Sequence, residues 1–282
     1  MNQTVIGLLH PGEMGAAVGK CLTGRGHTVV WASKDRSEQT RARAEAAGLT
    51  DGQTIPAACG TGLLLSVCPP QAAEDVALEC RDMDGIYVDA NAVSVATARR
   101  VAAVVEAAGA SYVDGGIIGP PPDAAGRTRL YLSGERAAEV RALFARSALD
   151  ARIADGPAYA ASAVKMAYAA WTKGTSALLL ACRALARSEG VEKTLLAEWG
   201  MSQPALGAQS ERSAAAAAAK GWRWVAEMEE IAASMAAAGL PTGFHDAAAG
   251  IYDRAARADG PGTRVTQTDS PPTLDTVVSA LT

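Results

Sequence analysis

The stretch that most limits what this chain can become is residues 4–19, Thr-Val-Ile-Gly-Leu-Leu-His-Pro-Gly-Glu-Met-Gly-Ala-Ala-Val-Gly. The apolar run from Val5 to Leu9 is of the kind that forms a buried strand. Pro11, Gly12 and Gly15 then supply a turn, and alanine- and leucine-rich sequence of helical character follows. Strand, glycine turn and helix together are what a pyrophosphate needs. Glycines let the backbone come close, and the N–H groups at the helix start carry partial positive charge. The usual G-x-G-x-x-G spacing falls on His10, Gly12 and Gly15, so the first glycine is replaced. Candidate cofactor contacts on this turn are His10, Pro11, Gly12, Glu13 and Met14. An ordinary strand–turn–helix would share the pattern, so the rest of the chain has to decide.

Residues 26–32, Gly-His-Thr-Val-Val-Trp-Ala, give a second strand with its leading turn, completing a βαβ length. At the end of such a strand an NAD site places an acidic residue on the ribose, whereas an NADP site places cations by the 2′-phosphate. Here stand Ser33, Lys34, Asp35 and Arg36. Ser33 can donate to a phosphate and Lys34 and Arg36 can pair with it, which favours NADP(H). Residues 62–68 form a third apolar run, stopped by Pro69-Pro70, and place Val67, Cys68 and Pro69 at a strand end facing the cofactor.

Residues 85–91 give another strand, ending in Asn91, and a helix rich in valine and alanine leads to Gly109. Residues 111–114 are read as a strand that runs into a Gly/Pro-rich loop over 115–122. Residues 129–133 and 152–155 are read as short later strands flanking a helix over 135–146. Strands alternating with helices predict a doubly wound, mainly parallel sheet covered on both faces, a Rossmann-type α/β domain.

The pattern changes at Asp155-Gly156-Pro157. Residues 158–186 contain no proline and one glycine, which predicts a long, mostly apolar helix. Further helices are expected over 191–199, 214–238 and 242–257, broken at Gly200, Pro204, Gly239-Leu-Pro241 and the Gly260-Pro-Gly262 tail. The chain thus divides near Gly156 into a Rossmann domain, 1–156, and an all-α domain, 157–282, joined by the long helix.

The remaining bounds are negative. A net charge of −4 gives no footprint for nucleic acid or an anionic membrane. No apolar run is long enough to span a membrane, and the N-terminus passes at once into a strand, without a signal peptide. Five cysteines without ligand spacing and only three histidines predict no metal site and a reduced, cytoplasmic setting.

Four stretches, in order, resemble the β-hydroxyacid dehydrogenase family related to 6-phosphogluconate dehydrogenase. They are residues 7–15, the Asp89-Ala-Asn-Ala-Val-Ser94 strand end, Asp114-Gly-Gly-Ile-Ile-Gly119, and residues 156–168 around Lys165. Residues 222–252 resemble the subgroup that carries a C-terminal domain of unknown function. The resemblance implies a nicotinamide dehydrogenase that interconverts a carbonyl and an alcohol on a small-molecule substrate, working as a homodimer. It makes Lys165 the general acid/base. A lysine amid apolar helix has its pKa lowered by desolvation and can both give and take a proton near neutrality, although a lone lysine can also snorkel to solvent.

The departures from the family pattern are informative. An asparagine is usual four residues after the lysine; this chain has Ala169, with Tyr168 beside it as a candidate hydroxyl or a core tyrosine. The substrate segment, Gly116, Ile117, Ile118 and Gly119, lacks the family's serine, and isoleucine cannot hydrogen-bond a carboxylate. The later Lys-Asp pair falls on Ala226 and Glu227, so its cation is missing. Asn91 matches a position lining nicotinamide and substrate, or is a strand-end turn residue. His245 is a candidate substrate contact or a structural residue at a helix start, and Trp222 and Trp224 read as core or dimer interface. An imine reductase on the same plan, or a non-catalytic NADP-binding module, would share most of these features.

Overall fold

The computed structural model describes residues 3–257 and 273–281. The expected break at Gly260-Pro-Gly262 lies outside the described residues. Contacts divide the chain into two compact units, Met1–Met166 and Ala167–Thr282.

In the first unit eight strands form one sheet: β1 Val5–Leu9, β2 Thr28–Trp31, β3 Thr50–Asp51, β4 Leu63–Ser66, β5 Ile86–Asp89, β6 Ser111–Ile118, β7 Thr128–Ser133 and β8 Leu149–Ile153. Their order is β3-β2-β1-β4-β5-β6-β7-β8, and every pair is parallel except β6 with β7. The order reverses between β1 and β4, which opens a crevice at the C-terminal strand ends. Helices α1 Glu13–Thr23, α2 Glu38–Ala46 and α6 Ala137–Leu143 cover one face. Val18, Leu22, Ala44 and Val140 pack there on Ile6, Leu8, Leu65 and Leu132. Helices α3 Ile55–Cys59, α4 Ala73–Glu79 and α5 Val95–Glu106 cover the other, where Ala58, Val76 and Val101 meet Leu9, Leu64 and Tyr87. Strands buried on both faces read as unbroken apolar runs, which is why β1, β4 and β5 fall within two residues of their expected places.

Two expectations about the sheet need correction. The Gly/Pro-rich segment after Asp114 is not a loop until Gly119, because β6 runs on through Gly115, Gly116, Ile117 and Ile118. A Cβ on Gly115 would stand 2.9 Å from the Asp89 carbonyl oxygen, so that glycine records a close neighbour rather than a turn. The last strand is β8 at Leu149–Ile153, three residues earlier than expected, because Leu149 pairs with Thr128 at the start of β7.

α7, Ala160–Ser188, begins in the first unit and continues into the second, which also holds α8 Glu192–Ser202, α9 Leu206–Ala237, α10 Gly243–Ala256 and α11 Leu274–Leu281. No strand follows β8 among the described residues. Gly200 does not break a helix but sits inside α8; the break comes at Pro204. α9 starts eight residues before the expected alanine run. Arg183 and Arg187 of α7 converge on Glu192, and Arg187 also holds Asp275 of α11 at 2.7 Å.

Candidate active site

α1 opens at Glu13 with Gly12 as its N-cap, and no side chain caps it. The N–H groups at this helix start point toward the turn. A Cβ built on Gly12 meets nothing within 4 Å, so the space ahead of the helix is open. One on Gly15 would stand 2.4 Å from the His10 carbonyl oxygen, so α1 can settle on the turn only with glycine there. His10 adopts φ +62°, the left-handed conformation native to glycine. The turn thus keeps the geometry of the missing glycine, and the Gly12 N–H donates to the His10 carbonyl at 2.7 Å. His10 Nδ1 is buried with no hydrogen-bond partner in the structure. Burial, then the charge of Arg36, lowers its pKa to about 4, so the ring is neutral at pH 7. An open, capless helix start on a bare glycine fits a pyrophosphate.

Beyond β2, Ser33 is buried while Lys34 and Asp35 are exposed. Asp35, at φ +58°, turns the chain back, and the Lys34 N–H donates to the Gln53 carbonyl at 2.8 Å. The Ser33 carbonyl accepts from the Arg36 N–H at 3.2 Å and from the Arg41 guanidinium at 2.7 Å. Arg41, on α2, is an addition that the sequence reading lacks. Its one signal is a basic residue early in a polar helix, and which way it faces depends on how α2 docks.

At the ends of β4 and β5, Asn91 is buried and fully engaged. Its Oδ1 accepts from the Cys68 N–H at 2.6 Å, its Nδ2 donates to Ser66 Oγ at 3.1 Å, and its own N–H donates to Asp89 Oδ1 at 3.1 Å. Asn91 thus clasps the strand end that carries Val67, Cys68 and Pro69. Burial pushes the Cys68 thiol up to about 12, which leaves it inert.

Lys165, on α7, meets the Gly116 to Ile118 end of β6. Lys165 Nζ donates to the Ile117 carbonyl at 2.9 Å, and burial lowers its pKa to about 8. Gly116 makes the approach possible. A Cβ there would stand 2.8 Å from the Ala161 carbonyl oxygen and 2.9 Å from Lys165 Cβ. Ile117 and Ile118 are buried, and Gly119 follows the strand.

Tyr168 and His245 belong to the second unit. Tyr168 is half-exposed on α7. His245, on α10, is buried edge-on to Phe244 and close to Gly174, with neither ring nitrogen paired in the structure. Glu227 does have its cation, supplied from α7 rather than from position 226: Lys173 Nζ binds its carboxylate in a mostly buried pair. The same ammonium lies 5.4 Å from the Trp224 ring centre, and Trp224 packs edge-on against Tyr252. Among the described residues no cluster of potential ligands could hold a metal ion, and no helix is long and apolar enough to cross a membrane.

A doubly wound sheet that sets a capless helix against a bare glycine turn at its switch point defines the dinucleotide-binding class of Rossmann proteins. Comparison narrows this. Residues 4–151 match the NAD binding domain of 6-phosphogluconate dehydrogenase, and residues 186–255 match a domain of unknown function, DUF1932. The first match spans more than half of the chain, so the protein belongs to the 6-phosphogluconate dehydrogenase-like family of NAD-binding proteins. A conserved protein of unknown function, described as structurally similar to 3-hydroxyacid dehydrogenases, superposes with a TM-score of 0.67 at 26% identity, covering 89% of this chain and 96% of its own. The 3-hydroxyisobutyrate dehydrogenase of Mycobacterium tuberculosis gives 0.69 at 18% identity over 99% of both chains. A reductive aminase from Aspergillus terreus, solved with NADPH4, gives 0.57 at 21% over 99% of both. No curated protein matches by sequence.

Proposed function

We propose that the protein is an NADP(H)-dependent oxidoreductase interconverting a carbonyl and an alcohol, with Lys165 as general acid/base. The observation that carries this reading is the Lys165 amine on the Ile117 carbonyl, with its pKa lowered by burial to about 8. Such a group is mostly protonated at pH 7 yet gives up its proton readily, as proton transfer at a reacting oxygen requires. The nicotinamide, when bound, supplies or accepts the hydride. This chain's part is to hold the pyrophosphate on residues 10–14, to pair Ser33, Lys34, Arg36 and Arg41 with a 2′-phosphate, and to fix the β4 end through Asn91. Gly116 to Gly119 offer no side-chain donor, which suits a substrate larger or less acidic than a short hydroxy acid. The cofactor is assigned to residues 1–156, and substrate and dimerisation to residues 157–282.

A second reading is reduction of C=N. It draws on Ala169 where the family has asparagine, and on the reductive aminase fold. An iminium arrives already protonated and depends less on a lysine. Titration with NADPH and NADH, followed by nicotinamide fluorescence, should show tight NADPH binding that Lys34→Ala/Arg36→Ala weakens while NADH is nearly unchanged. No binding of either cofactor would sink the reading. With a carbonyl and imine panel, Lys165→Met should abolish carbonyl turnover by orders of magnitude; survival of iminium reduction alone would select the second reading.

The homodimer is proposed on a stripe of α7. Tyr168, Trp171, Leu178 and Leu185 follow heptad spacing and are 47%, 73%, 49% and 65% exposed. A second copy of the chain would cover them, and light scattering at the monomer mass would refute it. The five free thiols suit a reducing cytoplasm.

A further inference from the structure

β5 and β6 pair with Asp89 directly opposite Asp114, and both carboxyls are only 1% exposed. Two buried carboxyls on adjacent strands are costly unless donors surround them. The pair is served unequally. Asp89 accepts from the Asn91 N–H and from the Tyr112 hydroxyl, each at 3.1 Å. Asp114 is wrapped more fully. Its Oδ2 accepts from Ser133 Oγ at 2.8 Å and from the Ser162 N–H at 2.9 Å, while its Oδ1 takes a short bond from Ser162 Oγ.

These donors come from two other elements. Ser133 ends β7 and is the register partner of Asp114, while Ser162 lies in the first turn of α7. Ser133 Oγ in turn accepts from the Ala161 N–H at 3.2 Å. The carboxylate therefore serves two N–H groups of the α7 start, one directly and one through a serine. A negative charge at a helix N-terminus is favourable, and an inside one stapled to a neighbouring strand also sets the helix's place.

One turn further on, the same helix returns to the same strand. Lys165 follows Ser162 by three residues and donates to Ile117, which follows Asp114 by three. The first turn of α7 is thus pinned to β6 at both ends, with Gly116 between them leaving room for the helix. The lowered pKa of Lys165 has burial as its cause and no contribution from a neighbouring charge. Whatever Asp114 does to Lys165, it does by placing it.

We propose that Asp114 is a positioning residue: with Ser133 and Ser162 it fixes the first turn of α7 on β6 and so keeps the Lys165 amine on Ile117 and out of water. The proposal rests on Lys165 as acid/base. Charged or titratable groups facing Asp114 are Asp89 from β5, Tyr112 from its own strand and Tyr159 just ahead of α7. The serine hydroxyls and the α7 N–H need an acceptor, and the carboxylate that these bonds reach is Asp114.

The test needs no substrate. In the full chain, the reactivity of each lysine toward trace acetic anhydride is followed by peptide mass spectrometry across pH 6–11, with exposed Lys193 as internal reference. In the unaltered protein Lys165 should titrate near 8. Asp114→Asn presents an amide N–H to a site built of donors, so the turn loosens. The Lys165 midpoint should then rise by about one pH unit or more, toward the usual lysine range, and its labelling should quicken. Ser162→Ala keeps the carboxylate and the backbone bond, should fold where Asp114→Asn does not, and should move the midpoint in the same direction by less. Asp114→Glu should bring the midpoint part of the way back. A cap with only a structural role would lower the melting temperature in these variants and leave the Lys165 midpoint at its original value; that result overturns the proposal. A normal lysine midpoint in the unaltered protein would instead overturn the acid/base reading, so the two failures are distinct.

Discussion

Asp89 should make this fold less stable as pH rises, and the size of the effect can be worked out. Burial comes first among the causes that lift its carboxyl to about 7, and the Asp114 charge adds to it against the pull of the Asn91 N–H. In the unfolded chain an aspartate ionises near pH 4, so between about 4 and 7 the folded state holds a proton that the unfolded state has lost. Stability from this group is full below pH 4 and drains away as pH climbs through 7. A gap of about three pH units between the folded and unfolded carboxyl, at about 1.4 kcal/mol for each, gives about 4 kcal/mol in all. Roughly 1.5 kcal/mol of that is already lost at pH 5, and nearly all by pH 8. Asp89→Asn is neutral throughout, and its amide can still accept from the Asn91 N–H while donating to the Tyr112 oxygen. Urea unfolding of both proteins at pH 5 and pH 8 should therefore show the variant's advantage widening by about 3 kcal/mol between the two. The widening is the telling quantity, because any fixed cost of the amide cancels. Parallel stability profiles would show that Asp89 is ionised in the folded protein and that the raised pKa is wrong.

Two further changes probe the turn and the second unit. His10→Gly removes a left-handed non-glycine residue and an orphaned buried nitrogen but frees the unfolded chain; the balance is a gain of about 1 kcal/mol, roughly 2–4 °C in thermal unfolding. NADPH affinity should hold in that variant, and a loss would show that the imidazole itself touches the cofactor. Lys173→Met leaves Glu227 buried without its ammonium and should destabilise the chain by about 3 kcal/mol, most of which Lys173→Met/Glu227→Met recovers. If the double variant is as unstable as the single in the same melting assay, the pair is not what the lysine contributes.

How far the sequence carries depends on whether a segment's reason for existing is local. β1, β4 and β5 are legible because a strand buried on both faces must be apolar along its length, and glycine or proline marks where it stops. β3 is two polar residues, Thr50 and Asp51, held in the sheet by Val30 and Trp31 of β2, and nothing in its own composition marks it. α2 is hard to read for a related reason: of its nine residues only Ala44 is buried, so no apolar stripe announces it. The glycines of β6 mislead because glycine has two meanings. At Gly115 and Gly116 it makes room for Asp89, Ala161 and Lys165, and only packing distinguishes that from a turn.

The site divides along the same line. Lys165 is singled out by the resemblance of residues 156–168 to the family, and its departure from a normal lysine follows from burial alone. Asp114, Ser133 and Ser162 are not, because their spacings of 19 and 48 residues carry no periodicity; only the meeting of β6, β7 and α7 makes them neighbours. Arg41 and Lys173 are hidden likewise, one arriving at Ser33 from α2 and the other at Glu227 from α7. In each case a residue type is missing or unremarkable at the expected position and a different element delivers it. A cation read as lost from position 226 is present at 173, because a buried carboxylate selects for a nearby charge and not for the strand or helix that carries it. Absence of a motif residue in sequence is therefore weak grounds for absence of its chemistry wherever the site is assembled from three or more elements.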